Sequence, residues 1–412
     1  MANTLATPSW VTKEVALYYV NNIKYVANLN KVYDDQFLVS GAKVGNTIQV
    51  RLPQRFLLTQ GQALQLQNLY DQTVPVSLTT QLNVAFGYSS AEATTEINDV
   101  RERYVMPAAE TLANGADVLA YTNTYKSVYS AVGTPGTTPN QNLTYLQAGV
   151  KMTDLAAPKG GRVAVLDPIA QITLVNANLT LFNPNRKISE EYETGEFAED
   201  ALGVAKWYED QNRPLFTTGT WTSTATPIIA AANQTGSTLN TSGWASGSTA
   251  LVAGDIFTIA GVNSVNPLSF QSTGRLQQFV VTANTADSSG AIAALPISPP
   301  IITSGQLQTV DSVPANNAII NMIGSTGATY SYAATQSPQS LLFVKDFAAF
   351  VTADLVAPSA GARSTFVRAK EYGLSLRMVE QFQIQTDQTP SRLDILCGAA
   401  PIQPRLAVRI FG

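Results

Sequence analysis

The stretch NTIQVRLPQRFLLTQGQALQLQNLYDQTVPVSLTTQLNVAFGYSS, residues 46–90, decides how the rest of the chain is read. Ile48, Val50 and Leu52 alternate with Thr47, Gln49 and Arg51; Val74, Val76 and Leu78 alternate again before Leu82, Val84 and Phe86. Period-two alternation is the mark of half-buried strands. Between them lies TQGQALQLQNLYDQ, rich in glutamine and without a basic residue. Together these segments predict a long two-stranded arm with a polar tip. A lone hairpin is marginally stable in water, so such an arm must lie on something, either the chain's own core or a neighbouring copy.

The segments flanking the arm are helical in pattern. TKEVALYYVNNIKYVANLNK carries Val15, Tyr19, Ile23 and Val26 at three- and four-residue spacing, with Thr12 placed to cap its start. After the arm, Ile97, Val100, Tyr104, Ala108, Leu112 and Leu119 mark a helix from 95 to about 131. Unbroken, it would be roughly 50 Å long at ~1.5 Å per residue. Pro107 and Gly115 should bend or interrupt it. A loop, GTPGTTPNQN, then leads to the strand GRVAVLDP and a helix starting near Pro168, a local α/β unit.

Composition sets a second boundary. Charged residues make up 13% of the 412 residues, against roughly 25% in ordinary soluble domains, while the apolar share is 45%. Thr, Ser, Asn and Gln replace the missing charge. Such a surface either lies against other protein or is simply polar and neutral. The deficit is deepest from Thr217 to Ser340, where Asp255, Arg275, Asp287 and Asp311 are the only charged residues. Short alternating runs such as DIFTIAGV and LQQFVVTAN, separated by Gly and Asn turns, make this window an all-β module. Charge returns at Lys345 with strands like those before the break, so the module is an insertion.

Several chemistries are excluded or weakened. The chain has no histidine and one cysteine, Cys397, in an apolar run. That removes a Ser-His-Asp triad, histidine metal sites and an internal disulfide, and leaves Cys397 as a buried small hydrophobe. No phosphate-binding loop is present, and PKGGRVAVLDP has its glycines on the wrong side of the strand for a dinucleotide fingerprint. The acidic run SEEYETGEFAED, with Glu190, Glu191, Glu193, Glu196, Glu199 and Asp200, could supply paired carboxylates to a hydrolase. A solvated face or an ion-pair partner is the plainer reading. A net charge of −4 argues against a dedicated nucleic-acid binder. No segment reads as a signal peptide or a membrane span. Arg392, Arg405 and Arg409 read as solvated or locally paired, and the apolar ending RLAVRIFG calls for a place in a sheet, the chain's own or a neighbour's.

The order of elements, the segment GDIFTIAGVNSVNPLSFQSTGRLQQFVVTANTADSSGAI (254–292) and the ending from EYGLSLRMV to RLAVRIFG together carry a resemblance. The chain resembles the major capsid proteins of tailed bacteriophages, in particular the short-tailed phage coat proteins with a domain inserted in a Hong Kong 97-type fold. The resemblance implies an α+β chain. Its parts would be an N-terminal arm and helix (1–44), an extended hairpin loop (45–89), a spine helix with the first part of the peripheral and axial domains (90–216), an inserted β domain (217–340), and the closing strands (341–412). It further implies a virion shell protein, assembled in the host cytoplasm from hexamers and pentamers of itself with a scaffolding protein and a portal protein. Packaged DNA would be touched weakly and non-specifically, with no membrane, no cofactor and no catalytic or metal site. The apolar end would be buried in the subunit's own sheet. If the arm lies on a neighbour, Arg51 and Arg55 become partners for Glu96, Asp99 or Glu102 there. Relatives use charged loops across two-fold axes, but residues 215–254 carry no charge here. Either neutral, hydrogen-bonded contacts around Trp244 replace them or the loop has another role, and no Lys–Asn pair suggests covalent crosslinking. A carbohydrate-binding adhesin, with Trp221 and Trp244 as a sugar platform, is the alternative.

Overall fold

The computed structural model describes residues 23–31, 47–61, 66–89, 106–179, 201–222, 226–325, 332–356, 358, 363–369 and 374–412. In chain order the strands begin with β1 (Thr47–Arg51), β2 (Thr73–Ser77) and β3 (Thr80–Ser89), followed by helix α1 (Met106–Tyr125) and β4 (Ala131–Gly133). Helix α2 (Asn142–Asp154), β5 (Arg162–Leu166), α3 (Pro168–Leu179), β6 (Lys206–Glu209) and β7 (Leu215–Thr217) come next. Then follow β8 (Ile228–Ile229), β9 (Gly236–Ser242), β10 (Ala250–Leu251), β11 (Ile256–Val265), β12 (Ser272–Val281), β13 (Thr285–Ala286), β14 (Ala291–Ile301) and β15 (Ile320–Met322). The chain closes with β16 (Gln336–Val344), β17 (Ala348–Ala353), β18 (Arg363–Ala369), β19 (Leu374–Glu380), β20 (Gln388–Pro401) and β21 (Ala407–Phe411). They form two compact units, one drawn from 1–51, 73–123 and 348–402, the other from 52–72, 124–347 and 403–412.

The first unit is organised by β20. One edge pairs with β3 from Thr80↔Cys397 to Ser89↔Gln388; the other pairs with β19 and then β17, and β18 extends the sheet beyond β19. The expected arm is therefore divided. β1 and β2 pair with Ile48 opposite Val76 and Val50 opposite Val74, but residues 80–89 leave the hairpin for this sheet. A strand of ten residues gains more from a central partner than from extending an isolated ribbon.

Helix α1 runs through Gly115 without interruption and buries Ala109, Leu112, Ala113, Ala116, Ala120 and Tyr121. Its alanine-rich face lets neighbouring chain approach closely. It ends at Tyr125, short of the expected 131, because Ser127 Oγ and N–H both donate to the Thr124 carbonyl and close the last turn. Of the expected N-terminal helix, only the end lies within the described residues, and there Val26–Asn28 is a 3-10 turn. That turn is held by Asp117, fully buried on α1, whose carboxylate accepts the N–H groups of Lys24, Tyr25 and Val26 at 2.9, 3.4 and 2.9 Å. The rings of Tyr25 and Tyr121 meet at 4.3 Å beside it.

The second unit contains a sheet in the order β4-β21-β16-β5-β6, with β7 on the first residues of β16. The strand β5 and helix α3 are the expected local α/β unit, and β6 pairs parallel to β5. The closing strand β21 sits between β4 and β16 with all five residues buried, so the apolar C-terminal segment is an interior strand of its own chain. Between β7 and β16 the chain forms the β module. Its sheet order is β15-β11-β12-β14-β9-β8, with the short pair β10–β13 beside it. Ile228 also bridges to Ile319 next to β15, so the two edges of the six-stranded sheet meet and close it. Trp221, Trp244, Phe257, Phe279 and Leu295 fill its core.

Replacing Asp117 by alanine leaves three N–H donors at the 3-10 turn without their acceptor. The expected cost is about 2–3 kcal/mol, read as a lower urea midpoint. An unchanged midpoint would show that the carboxylate does not hold this turn.

Candidate interaction surfaces

The strands on either side of the β module lie together in the second unit. β7 and β16 pair through Thr217↔Gln336, Phe216↔Ser337 and Leu215↔Pro338, and Thr218 and Thr335 exchange further hydrogen bonds. Arg409, from β21, projects into this root and is fully buried. Its Nη1 donates to the Gly254 carbonyl at 2.6 Å and its Nε to Gln339 Oε1 at 2.9 Å. The guanidinium carbon stands 4.7 Å from the ring centres of Phe216 and Phe411 and 5.4 Å from that of Tyr125. Gly254 adopts φ +108°, and a Cβ there would meet the Phe216 ring at 2.8 Å, so only glycine brings its carbonyl this close.

The neighbouring Asp255 accepts the N–H groups of Gly219 and Val252. Burial pushes its carboxyl up to about 7, against the pull of those donors and of Arg409. Sequence reading placed Arg409 at the surface or in a local pair. Its flanks Val408 and Ile410 are buried on one face and Ala407 and Phe411 on the other. A strand apolar on both faces was the available signal that its arginine is buried too.

A second set of contacts ties the module to α2. The Gln278 side chain accepts the Ala131 N–H at 2.8 Å and donates to the Ala131 carbonyl at 3.0 Å, filling the outer edge of β4 as a further strand would. Lys151 Nζ donates to the same carbonyl and to Gln278 Oε1, and burial lowers its pKa to about 8. Arg275 pairs with Asp154 alongside.

The arm residues 52–72 present the opposite chemistry. Leu58, Leu66 and Leu69 are 91%, 88% and 73% exposed, with Phe56 and Tyr70 more than half exposed. Here the two sides of the arm are joined by glutamine amides. Gln67 accepts the Leu57 N–H at 2.8 Å and donates to the Leu57 carbonyl, while Gln54 accepts the Tyr70 N–H at 3.1 Å. A third apolar area is the outer face of α2 and α3, which pack together through Tyr145 and Ala170. It exposes Leu143, Leu146, Val150, Ile169 and Ile172. The charged residues of α2, Lys151 and Asp154, are turned to the module, and α3 has none.

Residues 56–412 match the family model described as P22 coat protein, gene protein 5. The chain belongs to the P22 coat protein family. No curated protein matches it significantly in sequence. Among solved structures, that of Mycobacterium phage Che8 is similar over 94% of this chain and 90% of its own, at 11% identity and TM-score 0.44. The capsid of Ralstonia phage GP4 is similar over 89% and 83%, at 9% identity and TM-score 0.45. The CUS-3 coat protein I-domain matches 25% of this chain and 97% of its own, at 24% identity and TM-score 0.19. The family assignment rests on the sequence match across 56–412; the protein is a coat protein of the phage capsid, with an α+β, sheet-rich chain.

The residues singled out from the coat protein's sequence fare unevenly. Arg51 ends β1 with its side chain exposed. Arg55 lies beyond that strand, half-buried near Tyr129 and Arg405, and burial lowers its pKa. Glu96, Asp99, Glu102 and the acidic run 190–200 lie outside the described residues. Trp244 is a correction. It is 5% exposed in the module core, with its indole N–H donating to Thr241 Oγ1 at 2.9 Å, and so offers no ring to a neighbour. Trp221 is equally buried, which removes the sugar platform that an adhesin would need. Cys397 is buried, and burial pushes its thiol up to about 12. Among the described residues, no cluster of three or more His, Cys, Asp or Glu could hold a metal, and no helix is long and apolar enough to cross a membrane.

Asp255 makes the module root sensitive to pH. Its carboxyl titrates near 7 in the fold against an ordinary 3.8, so the folded chain holds the proton more tightly. The stability it contributes is full below about pH 4 and is lost as pH rises through about 7. The urea midpoint of Asp255→Asn should therefore change less between pH 4 and 7 than that of the parent. Equal changes in both would remove Asp255 as a cause.

Proposed function

We propose that this coat protein assembles, with a scaffolding protein and around a portal, into the pentamers and hexamers of an icosahedral shell enclosing the double-stranded DNA of a tailed phage. Assembly takes place in the host cytoplasm. Residues 217–340 form a domain inserted into the capsid fold. The observation that carries the reading is the exposed row Leu58, Leu66 and Leu69 on an arm that has no charged residue between Arg55 and Asp71. Buried leucines contribute about 2 kcal/mol each, so a second copy lying over this row recovers enough to offset part of the cost of association. The outer face of α2 and α3, apolar and uncharged, is a second surface suited to another copy of the chain. Neutral contacts of this kind hold without charge matching. With a net charge of −4 the shell contacts DNA only weakly and without sequence preference.

The test is to replace Leu58, Leu66 and Leu69 together by serine. The unassembled chain should keep its unfolding midpoint within about 0.5 kcal/mol, since surface changes away from structural features are small. Particle yield, read by sedimentation and electron microscopy, should collapse. Particles at parental yield would overturn this reading of the arm.

A further inference from the structure

The arm receives a hydrogen bond from outside itself. Gln306 is 8% exposed at the tip of a tight loop in the β module, and its Nε2 donates to Gln67 Oε1 at 2.9 Å. The loop itself is pinned. Thr309 N–H donates to the Ile302 carbonyl at 2.9 Å, Thr309 Oγ1 accepts the Ile302 N–H at 3.1 Å and donates to the Pro300 carbonyl, and Gln308 N–H closes onto Gly305. Gln306 is thus presented by a fixed support, not by a free tail.

The contact matters because a glutamine amide has two faces that differ only in which end donates. Gln67 bonds both backbone groups of Leu57, and this works in one orientation alone, with Oε1 toward the Leu57 N–H and Nε2 toward its carbonyl. A donor at Gln306 selects that orientation, since Nε2 of Gln67 in its place would face a second donor. The flipped amide would also set donor against donor and acceptor against acceptor at Leu57, so Gln306 and Leu57 favour the same orientation and Gln306 reinforces it. Leu57 directly precedes Leu58, and Gln67 lies between Leu66 and Leu69, so this amide pair fixes the spacing of the exposed apolar row.

We propose that Gln306 is a positioning residue for assembly: through Gln67 it holds the arm in the register that presents Leu58, Leu66 and Leu69 to a second copy of the chain. This rests on the reading of the arm as an intersubunit contact. The inserted module would then have a role in assembly beyond any contact made by its own surface.

The experiment compares the full chain with Gln306→Met, which removes the donor at similar size, and Gln306→Lys, which keeps one. Hydrogen exchange of the Leu57 amide is measured in the unassembled protein, together with the rate of particle formation. Gln306→Met should speed Leu57 exchange about 3- to 10-fold, the range expected for one net hydrogen bond. It should slow assembly while amides of the module core, such as Phe257 and Phe279, exchange as in the parent. Gln306→Lys should restore both Leu57 protection and assembly. Unchanged Leu57 exchange in Gln306→Met overturns the proposal, as does a Gln306→Lys chain that exchanges and assembles like Gln306→Met. The triple serine variant separates the two ideas. If it assembles normally the arm reading fails, whereas if it fails to assemble and Gln306→Met assembles at the parental rate, only the role of Gln306 is lost.

Discussion

The second unit depends on one buried cation. Arg409 is carried into the interior by the last strand of the chain, where an ion of its size is costly unless its donors are met. Phe216, Phe411 and Tyr125 surround its faces, and the Gly254 carbonyl and Gln339 accept from its edge. These partners come from β7, β16, β21, the end of α1 and the loop before β11. The entry and exit of the module, the closing strand and the turn that carries Asp255 therefore share one side chain. Arginine suits the role because its planar guanidinium stacks on rings while its edge donates.

At three other places the chain meets its polar obligations without charge. Three glutamines pair with both backbone groups of a single residue: Gln67 with Leu57, Gln278 with Ala131 and Gln234 with Asn240. A primary amide reproduces the donor and acceptor of a peptide group, so each acts as a one-residue strand at an edge that would otherwise face water. This gives the Gln and Asn richness of the sequence a structural use. It also leaves surfaces neutral, and neutral apolar surfaces such as the arm row and the α2–α3 face are suited to contacts among many copies of one coat protein.

Much of this was readable in advance. The charge-poor window marked a β-rich segment, the alternation marked β1 and β2 as strands, and the apolar ending called for a place in a sheet. What escaped was decided by partners distant in sequence. Residues 80–89 read as part of a hairpin because local alternation does not say which strand will lie alongside, and β20 is some 300 residues away. Arg409 and Trp244 were misjudged for a related reason. Residue type suggests an exposed arginine and a sticky tryptophan, whereas Phe216, Tyr125 and the Gly254 loop cover Arg409 and the closed module sheet encloses Trp244. The glutamine-rich tip was seen as polar, but Leu66 and Leu69 point outward while the Gln67 amide turns back to Leu57, an inversion that composition does not carry.

The most direct test of the central claim, that the neutral apolar surfaces of one chain are covered by other copies of it, is an electron cryo-microscopy map of the assembled particle. The account predicts Leu58, Leu66 and Leu69 buried against a second subunit, with Leu143, Leu146 and Ile172 also covered by another copy. A particle in which both surfaces remain open to solvent, with neighbours joined elsewhere, would contradict it.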